Sequence, residues 1–380
     1  MRKTYLLAGL LILLCFPVLA QKGLTVIKAS NELVSIRDGG TFSKNSWTIT
    51  PNLKPDIYTT GNKNTKVTFI TNLDSITFKI KPGKDYDFII LLNNSDTAWT
   101  RIKYDPGTPY LYILKKAAKY NPADTRELPP FTYQSMDYPA LVALRNSMKL
   151  DSIAGSGSEV SRMINLMHWI HNLVPHDGNH GNPDVKNAMN MIAECKRDKK
   201  GLNCRGLATV LNECYLAVGF KSRFVTCMPK DSVFNDCHMI NMVWSENMRK
   251  WLWMDPTNDA YVMNEKGELL SIPEVRERLI RGKPLILNPD ANWNHRSSAV
   301  KEEYLFKYMA KNLYRFECPV SSEYDTETST KGKRIEYVEL LPLEGFNQVP
   351  QKTEQTGKES GIKFVNYKTN NPGLFWTMPK

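Results

Sequence analysis

The chain has 380 residues, with 50 Lys and Arg against 39 Asp and Glu, a formal net charge of +11. The excess is spread along the chain, not gathered into a basic block. That points away from a nucleic-acid partner and toward a solvated basic surface, at most drawn to an anionic cell-envelope polymer. With 42% hydrophobic residues and 7 Cys, the composition excludes a disordered chain, and the length allows two or three domains without disulfide staples.

The first predicted element is a leader. Arg2 and Lys3 precede an apolar run from Leu6 to Phe16, and Val18 and Ala20 are small enough for a cleavage site. The spacing predicts a signal peptide over 1–20, too short to span a bilayer. Cys15 follows Leu14, where lipidation would need a small residue. No later stretch is long and apolar enough for a transmembrane segment, so the expected location is secreted or periplasmic.

Residues 21–130 read as a β-rich domain. "KVTFITNLDSITFKIKPGKDYDFIILL" alternates apolar and polar residues between turn residues. The segment has no His and, past the leader, no Cys, which argues against a nucleophilic or metal site there. "NPADTRELPPFTY" (121–133) reads as a linker.

Residues 134–290 change character. "SGSEVSRMINLMHWIHNLV" sets Val160, Met163, Ile164, Met167 and Ile170 on one helical face, with Ser158 as N-cap. "PDVKNAMNMIAECKR" predicts a second helix, with Pro183 near its start. "KKGLNCRGLATVLNECYLAVGF" (199–220) predicts a third, with Cys204 at its start, an apolar face of Leu207, Ala208, Leu211, Tyr215 and Val218, and Gly219 at its end. Three β-like segments follow: "KSRFVTCM", "HMINMVW" and "KWLWMDP". Helices followed by strands indicate an α+β fold. A helix near "IPEVRERLI" and a Pro/Asn-rich passage, "GKPLILNPDANWNH", lead into a C-terminal extension, 291–380. It mixes a helix over about 301–311, three strand-like segments and two polar loops, 320–334 and 350–361.

Cys204, His238 and Asp255 stand at the ends of successive elements. A Cys at a helix N-terminus feels the positive end of the dipole and free backbone N–H groups, which favour the thiolate. His238 opens one strand and Asp255 closes the next. If Ser245 to Met248 form a four-residue turn, Trp244 pairs with Arg249 and His238 lies opposite Asp255, on one face. A one-residue slip would separate them. The remaining cysteines (Cys195, Cys214, Cys227, Cys237, Cys318) read as structural thiols, with a Cys227–Cys237 disulfide as an open alternative. His168, His171, His176 and His180 fit no metal-ligand spacing and read as loop residues near a cleft mouth. No metal or cofactor is called for. Asp259 is an alternative carboxylate, but it falls past Pro256.

"GLNCRGLATVLNECYLAVGFKSRFV", "DCHMINMVW" and "KWLWMDPTN" resemble the three motifs of the transglutaminase-like superfamily, over about residues 160–262. The resemblance implies a papain-like α+β core, helices on an antiparallel sheet. It implies Cys204 as nucleophile, His238 as general base and acid, and Asp255 as the residue that orients His238. The family also uses a side-chain oxyanion donor, for which Trp169 and Asn203 are candidates. The expected function is an exported cysteine acyl-transfer enzyme acting on amide bonds of a peptide or protein substrate, a peptidase or amidase working through a Cys204 thioester. A cross-linking transglutaminase and a non-catalytic envelope-binding module are the alternatives.

Overall fold

The structure is a computed structural model that describes residues 23–51, 55–106, 109–231, 237–343, 348–358 and 360–379. The expected leader, 1–20, lies outside them. The chain divides into two compact units, Met1–Gly107 and Thr108–Lys380.

The first unit is all β. Its strands are β1 (Thr25–Ala29), β2 (Leu33–Asp38), β3 (Thr41–Thr48), β4 (Asp56–Thr60), β5 (Lys66–Ile70), β6 (Ser75–Lys79), β7 (Asp85–Leu92) and β8 (Asp96–Tyr104). They form two four-stranded sheets, β1-β7-β8-β4 and β3-β2-β5-β6. Pairing is mostly antiparallel, but β1 joins β7 and β4 joins β8 in parallel. Alternation puts Val67 and Phe69 of one sheet and Phe88 and Ile90 of the other into a shared core. Phe69 meets Phe88 edge-on, with ring centroids 5.2 Å apart.

The second unit is α+β. Helix α1 (Tyr110–Lys115) precedes α2 (Pro139–Met148), α3 (Leu150–Ala154), α4 (Glu159–Leu173), α5 (Ala188–Asp198) and α6 (Cys204–Ala217). Strands β9 (Ser222–Met228), β10 (His238–Ser245) and β11 (Lys250–Met254) follow, then α7 (Ile272–Arg281). A π-helical segment, Glu302–Met309, leads to β12 (Arg315–Pro319), β13 (Arg334–Leu340), β14 (Lys352–Thr356) and β15 (Lys363–Thr369). One seven-stranded sheet has the order β11-β10-β9-β12-β13-β15-β14. It is antiparallel except for β13 with β15. The C-terminal strands thus continue the sheet that β9–β11 begin.

Ser158 caps α4 as expected, accepting from the Ser161 N–H. The second helix starts later than Pro183: Asn187 caps it by accepting from the Asn190 N–H. The polar passage 350–361, expected to be a loop, contains β14. Its exposed Lys, Glu and Gln side chains suit a sheet edge, where charge discourages further pairing.

Helix α6 also differs from expectation. Every residue from Gly206 to Ala217 is buried, so the helix has no solvent face. It packs against α2, α4 and α5 and against β9 and β10. Leu207, Val210 and Leu211 fill the helical side, each worth about 1.5–3 kcal/mol relative to exposure. Most of its buried polar groups have partners, though Asn212 Oδ1 has none. Glu213 accepts the Ala188 N–H at 2.7 Å and the Asp325 N–H at 2.9 Å, and Asn212 donates to Ser322 Oγ at 2.9 Å. A buried carboxylate with such partners keeps a helix central where periodicity alone implies a surface.

Candidate active site

Cys204 is the first residue of α6. Asn203 caps the helix by accepting from the Gly206 N–H, and Asn182 braces the cap by donating to Asn203 Oδ1 at 2.7 Å and accepting the Asn203 N–H at 3.0 Å. Behind the thiol, Arg205 Nε donates to Glu327 at 2.7 Å, and the Tyr337 hydroxyl donates to the same carboxylate at 2.8 Å. The helix start is therefore tied to the C-terminal part of the sheet. Gly201 lets two segments approach closely. A Cβ there would lie 2.3 Å from the Pro175 carbonyl oxygen. The close approach lets Leu202 N–H donate to Pro175 O at 3.1 Å and Asp177 N–H donate to Leu202 O at 2.8 Å. These bonds lock the 175–177 segment beside the residues leading into Cys204.

The hairpin register departs from the predicted one. Ser245 pairs with Lys250 and Trp244 with Trp251, so the turn is 246–249, closed by Arg249 at φ 52°. The cause is Glu159 at the start of α4. Its carboxylate accepts from Ser245 Oγ at 2.6 Å, the Glu246 N–H at 2.8 Å and the Asn247 N–H at 3.2 Å, which makes Ser245 the last strand residue. The ladder ends at Asn241 with Met254. One more step would set Asp255 opposite Ile240 rather than His238. The displacement is two places in register, so His238 and Asp255 still share a face. They meet diagonally, His238 Nε2 to Asp255 Oδ2, at 2.7 Å.

Asp255 is fully buried and saturated with donors. Tyr304 Oη donates to Oδ2 at 2.6 Å, Asn258 Nδ2 at 3.0 Å, and the Thr257 N–H donates to Oδ1 at 2.9 Å. Burial pushes its pKa up, but His238 and these donors outweigh burial and hold it below the usual carboxylate value. Burial pushes His238 the other way, yet Asp255, Tyr308 and Cys204 raise it well above an ordinary imidazole. The Tyr308 ring meets His238 edge-on, with centroids 5.3 Å apart.

Helix α6 packs on the sheet face opposite to the one that His238 and Asp255 share. Along β10, Met239 packs with Ala208, Asn241 donates to Ala208 O at 2.9 Å and Val243 joins the helical core, whereas Ile240, Met242 and Trp244 face the other cluster. Cys204 meets His238 around the strand end, where the Met239 N–H also reaches the sulfur. Burial raises the Cys204 thiol. Hydrogen bonds from His176 and His238, the His238 charge and the Met239 N–H outweigh burial and bring it down to about 6. Such a thiol is mostly thiolate at neutral pH, beside an imidazolium. Its carboxamidomethylation by iodoacetamide is expected to be half-maximal near pH 6 and to fall about tenfold per unit below, since the anion is lost as pH drops. Rates against pH, with the label mapped to Cys204, check this. A midpoint above 8 contradicts it.

The remaining predicted residues go elsewhere. Asp259, the alternative carboxylate, takes His168 Nδ1 at 2.6 Å. His171 Nδ1 lies 3.1 Å from the Pro256 carbonyl oxygen, bracing the turn after Asp255. His180 Nδ1 lies 2.6 Å from Asp177 Oδ2. Among the described residues, no group of three or more His, Cys, Asp or Glu is placed to hold a metal ion. Cys227 and Cys237 are not joined in a disulfide. Of the two candidate oxyanion donors, Asn203 accepts through Oδ1 as the helix cap, while its Nδ2 is the atom that could donate, and Trp169 packs against the helical core. His176, on the cleft-mouth loop, is among the groups that lower the Cys204 thiol. Sequence reasoning missed Tyr304 and the proximity of His176.

Residues 147–256 match the family described as the Transglutaminase-like superfamily. No curated protein matches the chain. Among solved structures, a candidate cysteine protease from Cytophaga hutchinsonii is 13% identical at a TM-score of 0.25, over 39% of this chain and 48% of that one. The chain therefore spans about half the length of that relative. LapG of Legionella pneumophila is 12% identical at a TM-score of 0.25, over 38% of this chain and 77% of its own. Red sea bream transglutaminase is 10% identical at 0.23, over 58% and 52%. At these scores the likenesses carry no weight beyond the family match and the site geometry.

Proposed function

We propose, from the transglutaminase-like core that residues 147–256 form, that this chain is an exported cysteine acyl-transfer enzyme that opens amide bonds of peptides or proteins. The observation that carries the reading is a thiol at a helix N-terminus, lowered to about 6 by His238 and other groups near it, with His238 Nε2 2.7 Å from Asp255. In this reading Cys204 Sγ attacks the carbonyl carbon. The C–N bond breaks as His238 gives its proton to the leaving amine, and a thioester remains on Cys204. Water then attacks the thioester and gives a proton to His238. The acid leaves, and the thiolate–imidazolium pair is restored. An amine in place of water would complete a cross-link. Asp255 holds the imidazole ring and its charge throughout. Export is supported by the leader pattern over 1–20, and no described helix is long and apolar enough to cross a membrane.

The test is an acyl adduct. Incubation with an activated ester, p-nitrophenyl acetate, followed by mass mapping, is expected to place the acetyl group on Cys204 before it hydrolyses. If Cys204 reacts no faster than an exposed free thiol, the nucleophile assignment is lost and a binding module is the better reading.

A further inference from the structure

The Cys204 thiol is flanked by two histidines, and they are held in different ways. His238 faces a carboxylate, which stabilises its cation. His176 faces an indole: Trp293 Nε1–H donates to His176 Nδ1 at 3.2 Å. An indole N–H can only donate, so Nδ1 must be the bare, accepting nitrogen of a neutral imidazole. The ring proton is therefore on Nε2, and the bridge of His176 to Leu202 sets the ring beside the Cys204 thiol, whose pKa it lowers. A second proton on Nδ1 would set two N–H groups against each other.

The backbone is fixed as firmly as the ring. Asn294 accepts the His176 N–H through Oδ1 at 2.7 Å and donates to the His176 carbonyl through Nδ2 at 2.8 Å. On its other side His176 bridges in parallel to Leu202, two residues before Cys204. The passage "NWNH" thus has a use that its sequence did not disclose. Asn292 Oδ1 lies 2.9 Å from His171 Nε2, Trp293 takes the His176 ring and Asn294 takes its backbone.

We propose that His176 is a second catalytic histidine, a neutral N–H donor locked in one tautomer by Trp293, that holds the carbonyl oxygen of the acyl group while Cys204 attacks. The role rests on the acyl-transfer reading above. As the S–C bond forms, the carbonyl π pair moves to oxygen, so negative charge passes from sulfur to an atom bonded to the same carbon. A donor held beside the anionic sulfur needs little movement to meet that oxygen. When the C–N bond breaks, the pair returns to the carbonyl and the leaving amine takes its proton from His238, not from His176. Separating the two duties keeps the oxyanion donor from losing its proton to the product. Trp293 is a positioning residue, acting through the His176 ring.

The test uses the full-length protein, with p-nitrophenyl acetate as the probe. On ¹⁵N-labelled wild-type chain near neutral pH, the His176 ring is expected as the Nε2–H tautomer. An Nδ1–H tautomer or a cationic ring overturns the proposal without any variant. His176→Leu is expected to slow acetylation of Cys204 by about 10²–10³-fold at saturating ester, with little change in the half-saturating concentration. His176→Gln, which keeps an N–H donor, is expected to recover most of the loss. Trp293→Phe is expected to mix the His176 tautomers and slow acetylation less than His176→Leu. Acetylation of His176→Leu at the wild-type rate overturns the proposal while leaving Cys204 as the nucleophile. A wild-type chain that is never acetylated overturns the acyl-transfer reading itself, and this role with it.

Discussion

Cys204→Ser is expected to abolish acyl transfer, by on the order of 10⁴-fold or more, in a chain that remains folded. The substitution keeps size and shape, and leaves His238, Asp255 and the Asn203 cap in place. What it removes is the anion. The sulfur, lowered to about 6, is mostly ionised at neutral pH, whereas a serine hydroxyl offers no comparable population of alkoxide. Stability should fall only modestly. A thiol lowered on folding adds stability that is complete above its unfolded pKa and is lost as pH falls through about 6. Near pH 7 that is about 1 kcal/mol, and the gap between wild type and variant should widen toward pH 9. Acetylation kinetics and thermal melts at several pH values check both halves. Appreciable acyl transfer by Cys204→Ser would mean that the reaction does not run through this side chain.

Asp255 carries the second large effect, and it concerns stability as much as activity. Asp255→Ala leaves the buried His238 cation without its partner and strands the donors from Tyr304, Asn258 and Thr257. Breaking one side of a buried pair costs about 3–5 kcal/mol. The sign with pH follows from the two directions. Asp255 lies below its ordinary 3.8, so its contribution is complete above that value and is lost as acid protonates the folded state. His238 lies well above 6.5, so its contribution is complete below 6.5 and is lost as pH rises through its folded pKa. The wild-type advantage over Asp255→Ala should therefore be widest between about pH 4 and 6.5. Asp255→Asn keeps the shape but turns an amide toward His238 Nε2, favouring the wrong tautomer. It should cost on the order of 10⁴ in acyl transfer with a smaller loss of stability. Melts of both variants across this range, beside acetylation rates, test the two effects separately. An unchanged midpoint for Asp255→Ala would contradict the saturated buried carboxylate.

Much of this site was legible because its three residues mark ends of local elements. A Cys after an Asn cap, a His opening an apolar strand and an Asp before Pro are each fixed by their immediate neighbours. The shared face of His238 and Asp255 survived an error in register for a simple reason. A four-residue turn displaced by one position moves the pairing by two, and a strand's faces repeat every two residues. Turn length was readable; turn position was not, because Glu159, far upstream, sets it. The same limit hid His176 and Tyr304. Their partners lie 117 and 49 residues away, and nothing in a local pattern links an indole to an imidazole at such separations. Helix α6 misled in another way. Its polar residues looked solvent-facing until Glu213 and Asn212 met partners from distant segments. Strand β14 was missed because an edge strand of Lys, Glu and Gln lacks the apolar alternation that identifies its neighbours.

The dependence of the thiol end of α6 and of Asp255 on residues beyond 300 bears on the order in which the protein is made. Synthesis proceeds from the N-terminus. Cys204, His238 and Asp255 therefore emerge well before Tyr304, which completes the donors around Asp255, and before Glu327 and Tyr337, which anchor Arg205. A growing chain shorter than about residue 340 lacks β13 and the strands beyond it. The sheet beneath α6 is then unfinished, and the helix start that carries Cys204 is not yet fully anchored. The anchoring of the site is completed only when nearly the whole polypeptide has left the ribosome.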